Sequence, residues 1–240
     1  MSSKPQPFGR ADLAHCERAM LGSPRWPKAN IWRVRIGGED WIVKDFSERG
    51  FFARNFVGRN LLRRDLRALQ RLAGIPGVPT GAFRVDRYAL AYRFVPGRPL
   101  ADIHQDDLPP ELFAALEQTL RDVHARGIVH LDIRNCRNVI VNDRHEPVLL
   151  DYEAHLDTRR WPAGARARLE RFDLAGVYKH WHRAQAASMG AERVEVLEHM
   201  NRWRKAWVFR GLRFYPREAR KLLRRMLRQG RRGSGTEARP

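Results

Sequence analysis

Five residues, Val95-Pro96-Gly97-Arg98-Pro99, separate two stretches of different hydrophobic period. Two prolines and a glycine in five positions are incompatible with a helix interior or a central strand, so the segment reads as a linker. Before it the pattern is mainly that of strands. Ile31 to Ile36 and Asp40 to Phe46 are rich in β-formers, and Gly37-Gly38 between them is a hairpin signal. The spacing of Leu62, Leu66, Leu69 and Leu72 predicts a helix from about Ala53 to Leu72, stopped by Gly74. Gly77 to Pro79 then turns the chain into two further strands, Ala82 to Asp86 and Tyr88 to Phe94.

After the linker the period becomes helical. Pro109 and Pro110 open a helix that Asp107 can cap, with Leu112, Phe113, Leu116, Leu120 and Val123 on its apolar face and Gly127 at its end. Short strands follow near Val139 to Val141 and Pro147 to Leu150, and the remainder is largely helical. The expectation is an α+β fold with a β-rich lobe, a linker and a reduced α-rich lobe. The boundaries are an N-terminal extension over 1–20, the two lobes over 21–95 and 96–200, a basic aromatic segment over 201–232 and a disordered tail over 233–240.

Composition narrows the classes. A hydrophobic fraction of 43% with 10% aromatics excludes wholesale disorder. Cys16 and Cys136 form neither a disulfide framework nor a metal-binding pair, which suits a reducing cytosol. Lys4, Pro5, Pro7 and Arg10 stand where a secretory signal would be apolar, and no apolar run reaches the length of a membrane span. The net charge of +19 favours an acidic partner. Most of it lies between Asn201 and Arg232, where thirteen Lys/Arg face Glu218 alone.

The chemistry concentrates in Gly127-Ile128-Val129-His130-Leu131-Asp132-Ile133-Arg134-Asn135-Cys136-Arg137-Asn138, followed by Leu149-Leu150-Asp151. Phosphoryl transfer needs a carboxylate near the attacking hydroxyl, metal-holding amide and carboxylate oxygens, and cations on the phosphates. Asp132, Asn138, Asp151 and Arg134 supply these in order. Lys44 is the second anchor: in an alternating strand it shares a face with Ile42 and Phe46, an unusual origin for a surface lysine. Asp65 borders the leucine stripe of the following helix and is the acid placed to pair with Lys44, although nearby arginines such as Arg64 compete for it.

These residues resemble the protein-kinase-like superfamily, whose catalytic loop reads His-x-Asp, a basic residue two further on, an Asn, and an Asp after the next hairpin. The family places its Asn five residues after the Asp, where this chain has Arg137. The interval from Asn138 to Asp151 equals the usual one, so one inserted residue explains the offset. Asn135 is the alternative ligand. The resemblance implies ATP and Mg²⁺ as cofactors, with Asp132, Arg134 and Lys44 as catalytic residues and Asn138 and Asp151 on the metal. Lys44 and Asp65 would serve the nucleotide phosphates. Ile42 and Ile140 would sandwich the adenine, and Phe94 and Val95 would belong to the hinge at its edge. Two features depart from the pattern. Leu21 to Lys28 replaces the glycine-rich phosphate loop, and Tyr152-Glu153 follows Asp151 without a long activation segment.

A short chain of this kind is similar to the bacterial lipopolysaccharide kinases of heptose or Kdo, and to the Rio-type atypical kinases. In the C-terminal segment Trp203, Trp207, Phe209, Phe214 and Tyr215 interleave with arginines, as suits an anionic membrane surface. The leading expectation is therefore a monomeric, cytoplasmic enzyme, peripheral on the inner face of the bacterial inner membrane. It would phosphorylate a sugar hydroxyl of lipid A–core oligosaccharide or another acidic lipid-linked sugar. A Rio-like protein kinase or ATPase bound to RNA or ribosomes, an ATP-binding scaffold without turnover, and a nucleic-acid-binding protein are the alternatives. His180 and His182, two apart on a helix, point away from each other and make no metal pair.

Overall fold

The structure, a computed structural model, describes residues 6–21 and 28–211. It is a mixed α and β fold. A short helix α1 (Asp12–His15) leads into β1 (Glu17–Met20), β2 (Asn30–Ile36) and β3 (Glu39–Asp45). Gly37 and Gly38 both adopt positive φ, at 62° and 80°, the two-residue hairpin geometry that matches strand twist. A π-helical turn, Ala53–Gly58, precedes α2 (Arg59–Arg71), and β4 (Phe83–Arg84) and β5 (Ala89–Arg93) complete an antiparallel sheet ordered β1-β2-β3-β5-β4.

Alternation along β3 gives this sheet two different faces. Trp41 and Val43 pack with Phe8, Leu13, Val34, Val85, Ala89 and Ala91. Edge-on contacts among Phe8, Trp41 and Phe83, with ring centroids 5.0–5.5 Å apart, hold the chain start on that face. Arg10 adds ion pairs to Asp45 (2.5 Å) and Asp86 (2.8 Å). The expected extension over 1–20 is thus partly built into the sheet, with β1 pairing against β2 from Glu17↔Arg35 to Met20↔Trp32. All four β1 residues are exposed, so a core-facing alternation that would betray the strand is missing from its sequence. On the opposite face lies α2, whose buried residues are Leu62, Asp65, Ala68 and Leu69.

The last two linker residues form β6 (Arg98–Pro99), at a sheet edge where proline is tolerated, and after it come α3 (Pro110–Ala125), β7 (Ile128–Val129), β8 (Val139–Val141), β9 (Pro147–Leu149), β10 (Leu156–Asp157), α4 (Ala163–Gln185) and α5 (Ala191–Gly211). The strands form a three-stranded sheet β6-β8-β9 and a two-stranded ladder β10-β7, and α3 packs on α4. Leu112, Phe113, Leu116, Leu120 and Val123 of α3 are all buried, and Phe113 stacks on Trp181 of α4 at 5.8 Å. Asp107 does not cap α3. It belongs to a separate 3-10 turn, Gln105–Asp107, while Pro109 in extended backbone precedes the helix without a side-chain cap. Pro109 itself occupies the N-cap position, where it has no side-chain acceptor to offer, and the Leu112 N–H donates to its carbonyl at 3.1 Å instead.

The chain divides after Leu197 into two compact units, so both the five-stranded sheet and the α3–α4 layer belong to the first. Most of the basic aromatic segment expected over 201–232, the tail over 233–240, and residues 22–27 in place of the phosphate loop lie outside the described residues. No helix among the described residues is long and apolar enough to cross a membrane.

Candidate functional site

Lys44 leaves β3 on the α2-facing side, and its ammonium meets three carboxylates. Nζ lies 2.6 Å from Asp65 Oδ2, 2.9 Å from Asp151 Oδ1 and 3.1 Å from Glu153 Oε1. The Lys44 side chain is 6% exposed and that of Asp65 is 1%, so water screens their pair weakly. At 2.6 Å the pair is in direct contact. Arg64, its expected rival for Asp65, turns elsewhere and donates to the carbonyls of Glu153 (2.9 Å) and His155. Asp65 also accepts from the Tyr152 backbone N–H through Oδ1 at 3.1 Å, tying α2 to the turn after Asp151.

Burial by itself would depress the Lys44 pKa, but the three carboxylates outweigh it and hold the ammonium well above its usual value. Burial also works to raise Asp151; the adjacent Lys44, helped by Lys28 and His130, overrides it and lowers that carboxyl. For Glu153, burial and then the repulsion of Asp151 and Asp65 exceed the pull of Lys44, so its carboxyl is raised. One ammonium is thus shared by three acids, and the acid contacting it at the longest distance bears the imbalance.

The loop after β7 provides the second cluster. Asn138 Nδ2 donates to Asp132 Oδ2 at 2.8 Å and to the Asp132 carbonyl at 3.1 Å. Asn135 caps the 3-10 turn Cys136–Asn138 by accepting from Arg137 N, and its own Nδ2 donates to Asn138 Oδ1 at 3.1 Å. The structure thereby separates the two asparagines: Asn138 is buried against Asp132, while Asn135 braces it from behind. Leu150 N donates to the Asn138 carbonyl at 2.7 Å, which joins this cluster to the strand leading to Asp151.

His130 is fixed by two bonds that also set its tautomer. Nδ1 accepts from the Asp132 N–H (3.2 Å), so the ring proton sits on Nε2 and points to the Leu150 carbonyl (2.9 Å). Leu131 adopts φ 68° and Asp151 φ 67°, left-handed conformations that cost a non-glycine residue about 1–2 kcal/mol each. Asp173, buried on α4, holds the first of these in place. Its Oδ2 accepts from His130 N (2.6 Å) and lies 3.1 Å from His124 Nε2, while its Oδ1 accepts from Leu131 N (2.7 Å). The loop lies so close to α4 that a Cβ on Gly176 would come within 2.9 Å of Ile133 Cγ2. His180 is buried and faces the Ile133 carbonyl at 3.0 Å, whereas His182 is exposed, so the two imidazoles do share no ligand.

Of the other expected residues, Ile42 is buried on β3 opposite Tyr92, and Ile140 is half-buried on β8. Phe94 and Val95 are half-buried after β5, with the Phe94 ring 4.2 Å beneath the Arg33 guanidinium. Arg134 is held through its carbonyl, which accepts from Lys179 Nζ at 3.2 Å. Sequence reasoning missed Glu153 and Asp173. Asp173 had a signal, a lone acid beside the apolar run Leu174 to Tyr178; Glu153 had only its place two residues after Asp151.

Asn138 and Asp151 carry hard oxygen donors of the kind Mg²⁺ takes, and Lys44 is a buried cation 2.9 Å from Asp151. The chain matches no protein-family model and no curated protein.

Proposed function

We propose that the chain is an ATP- and Mg²⁺-dependent phosphotransferase with a minimal bilobal kinase-like fold, acting on a sugar hydroxyl of the lipopolysaccharide inner core, heptose or Kdo. The observation that carries the reading is the meeting of Lys44 from β3 with Asp65 from α2 and Asp151 beyond β9, within one hydrogen-bond radius of Nζ. Residues 107 apart in sequence supply that contact, and charged groups are seldom buried together without a task.

In this reading Asn138 and Asp151 would hold Mg²⁺, which would supply positive charge to the phosphates of bound ATP. Lys44, aligned by Asp65, places its ammonium on the phosphate oxygens, and Arg134 adds a second cation at the acceptor side. Asp132 accepts the proton of the attacking hydroxyl at Oδ1, because Oδ2 is already engaged by Asn138 Nδ2. Ile42 and Ile140 enclose the adenine and Phe94 and Val95 border it. His130 and Asp173 act by position: they hold the backbone that aims Asp132.

The acceptor rests on the resemblance and on the chain's net charge of +19, which suits an acidic lipid-linked sugar at the inner face of a membrane. The test is transfer of labelled γ-phosphate from ATP to purified core lipopolysaccharide, with and without Asp132→Ala. Labelled lipopolysaccharide in the parent alone supports the proposal. Label on protein substrates only would replace it with a Rio-like kinase, and nucleotide binding without turnover on any acceptor would leave an ATP-binding scaffold.

A further inference from the structure

The segment leading into α2, Phe51 to the π-helical turn, carries exposed aromatics that the phosphotransfer chemistry does not use. Phe51, Phe52 and Phe56 are 70%, 65% and 61% exposed, and the rings of Phe52 and Phe56 stack at 5.2 Å with an interplanar angle of 27°. Isolated exposed apolar residues are ordinary, but three large rings together on one protruding turn are not. From Arg49 to Arg71 the chain holds seven arginines and one acid, Asp65, which is buried and committed to Lys44.

The two features adjoin in the chain. Phe52 and Phe56 stack four residues apart across the π-helical turn, and Arg59, Arg63 and Arg67 follow at intervals of four along one face of α2. Phe52, Phe56, Arg63 and Arg67 are exposed and Arg59 is half-buried, whereas Leu62, Asp65, Ala68 and Leu69 line the buried side. The outward stripe thus begins aromatic and continues basic.

We propose that this stripe is a docking surface for an anionic lipid bilayer, with the phenylalanines entering the headgroup–acyl boundary and Arg59, Arg63 and Arg67 lying at the phosphates. Charge complementarity selects an anionic occupant, since a second copy of the chain would set seven arginines against seven. The aromatic chemistry selects lipid over nucleic acid. Phe52 and Phe56 spend one ring face on each other, and none of the three phenylalanines has a polar group with which to read a base. A protruding apolar knob bordered by cations fits a fluid interface that can close around it. Because α2 also carries Asp65, docking here would bring the Lys44 cluster close to lipid-linked substrates. The lipid contact itself does not depend on the phosphotransfer reading.

The test is flotation of the full chain with vesicles of phosphatidylcholine containing about a third phosphatidylglycerol, and with phosphatidylcholine alone. The triple variant Phe51→Ser/Phe52→Ser/Phe56→Ser should partition at least about tenfold more weakly onto the anionic vesicles, with an unchanged melting temperature. Arg63→Ser/Arg67→Ser should flatten the salt dependence of binding. In Phe52→Trp, brominated acyl chains should quench the added fluorescence, but not that of a tryptophan placed at exposed Ala115. Anionic-vesicle binding by the triple variant equal to the parent's would overturn the proposal and assign lipid contact to another segment. So would absence of vesicle binding together with single-stranded RNA binding that the triple variant loses. ATP binding measured on the same variants keeps this outcome separate from failure of the phosphotransfer reading.

Discussion

Replacing Asp173 by Asn tests how the loop bearing Asp132 is held. The side chain keeps its size and 1% exposure, so packing changes little. Its hydrogen bonding changes decisively. Oδ2 takes His130 N and faces His124, and Oδ1 takes Leu131 N. Whichever way the Asn amide turns, its NH₂ group confronts one of those two backbone N–H donors. A buried unsatisfied N–H costs about 1–3 kcal/mol, and each surviving bond loses about 1 kcal/mol when the acceptor charge is removed. The left-handed Leu131 then relaxes more readily, so about 3–5 kcal/mol of stability should be lost. For a chain of this size that lowers the melting temperature by about 6–20 °C. The companion assay is nucleotide binding, which should survive below the new transition because Lys44 and Asp65 do not touch Asp173. Phosphotransfer should fall more than binding. A variant that melts within about 2 °C of the parent would refute the reasoning and show that the loop is held by its other contacts.

Asp132→Asn should reduce turnover by about 10²–10⁴-fold with little change in ATP affinity, as for loss of a general base, measured by single-turnover transfer. Glu153→Gln should show a pH-dependent stability gain. The Glu153 carboxyl is raised above its ordinary 4.5, so below that pH it is protonated in both folded and unfolded chains and contributes no difference. As pH rises through its folded pKa, ionisation penalises the parent alone, and the variant should become relatively more stable; denaturant melts at pH 4 and pH 7.5 that differ equally would contradict this. His180 has its pKa pushed down to about 4 by burial, so its neutral form stabilises the fold above 6.5 and that contribution fades as pH falls toward 4. The stability difference between parent and His180→Gln should therefore narrow on acidification by on the order of 2–3 kcal/mol, read from urea transitions across that interval.

Which residues would be buried together was partly legible because polar side chains in apolar runs are few. Lys44, Asp65, Asp132, Asn138 and Asp151 are charged or amide side chains set in apolar surroundings, and such placements stand out in a sequence. The hairpin glycines and the α3 face were legible because φ restriction and helical period act locally. What escaped was set by distant contacts. Glu153 joins Lys44 because the 3-10 turn Tyr152–Ala154 swings it there, and no local pattern encodes that turn's direction. β1 is recruited by edge pairing with β2, a backbone interaction indifferent to side-chain pattern. Asp107 is not the cap because the helix begins two residues later than a cap at Asp107 requires, with Pro109 at the N-cap position and Asp107 in its own 3-10 turn.

The three-way contact at Lys44 also bears on how the protein is made. Its partners appear in the order Asp65, Asp151 and Glu153, the last 109 residues after the lysine itself. During synthesis the five-stranded sheet can form from neighbouring segments once Arg93 has emerged, with Asp65 already present to receive the ammonium. Asp132 gains its orientation only when Asn138 follows, and His130 and Leu131 gain theirs only when Asp173 does. A chain halted before Asp173 would own every reactive group of the proposed site and hold few of them in place. Catalytic competence is in that sense a late product of translation: the sheet can be finished well before the loop it serves acquires a fixed shape.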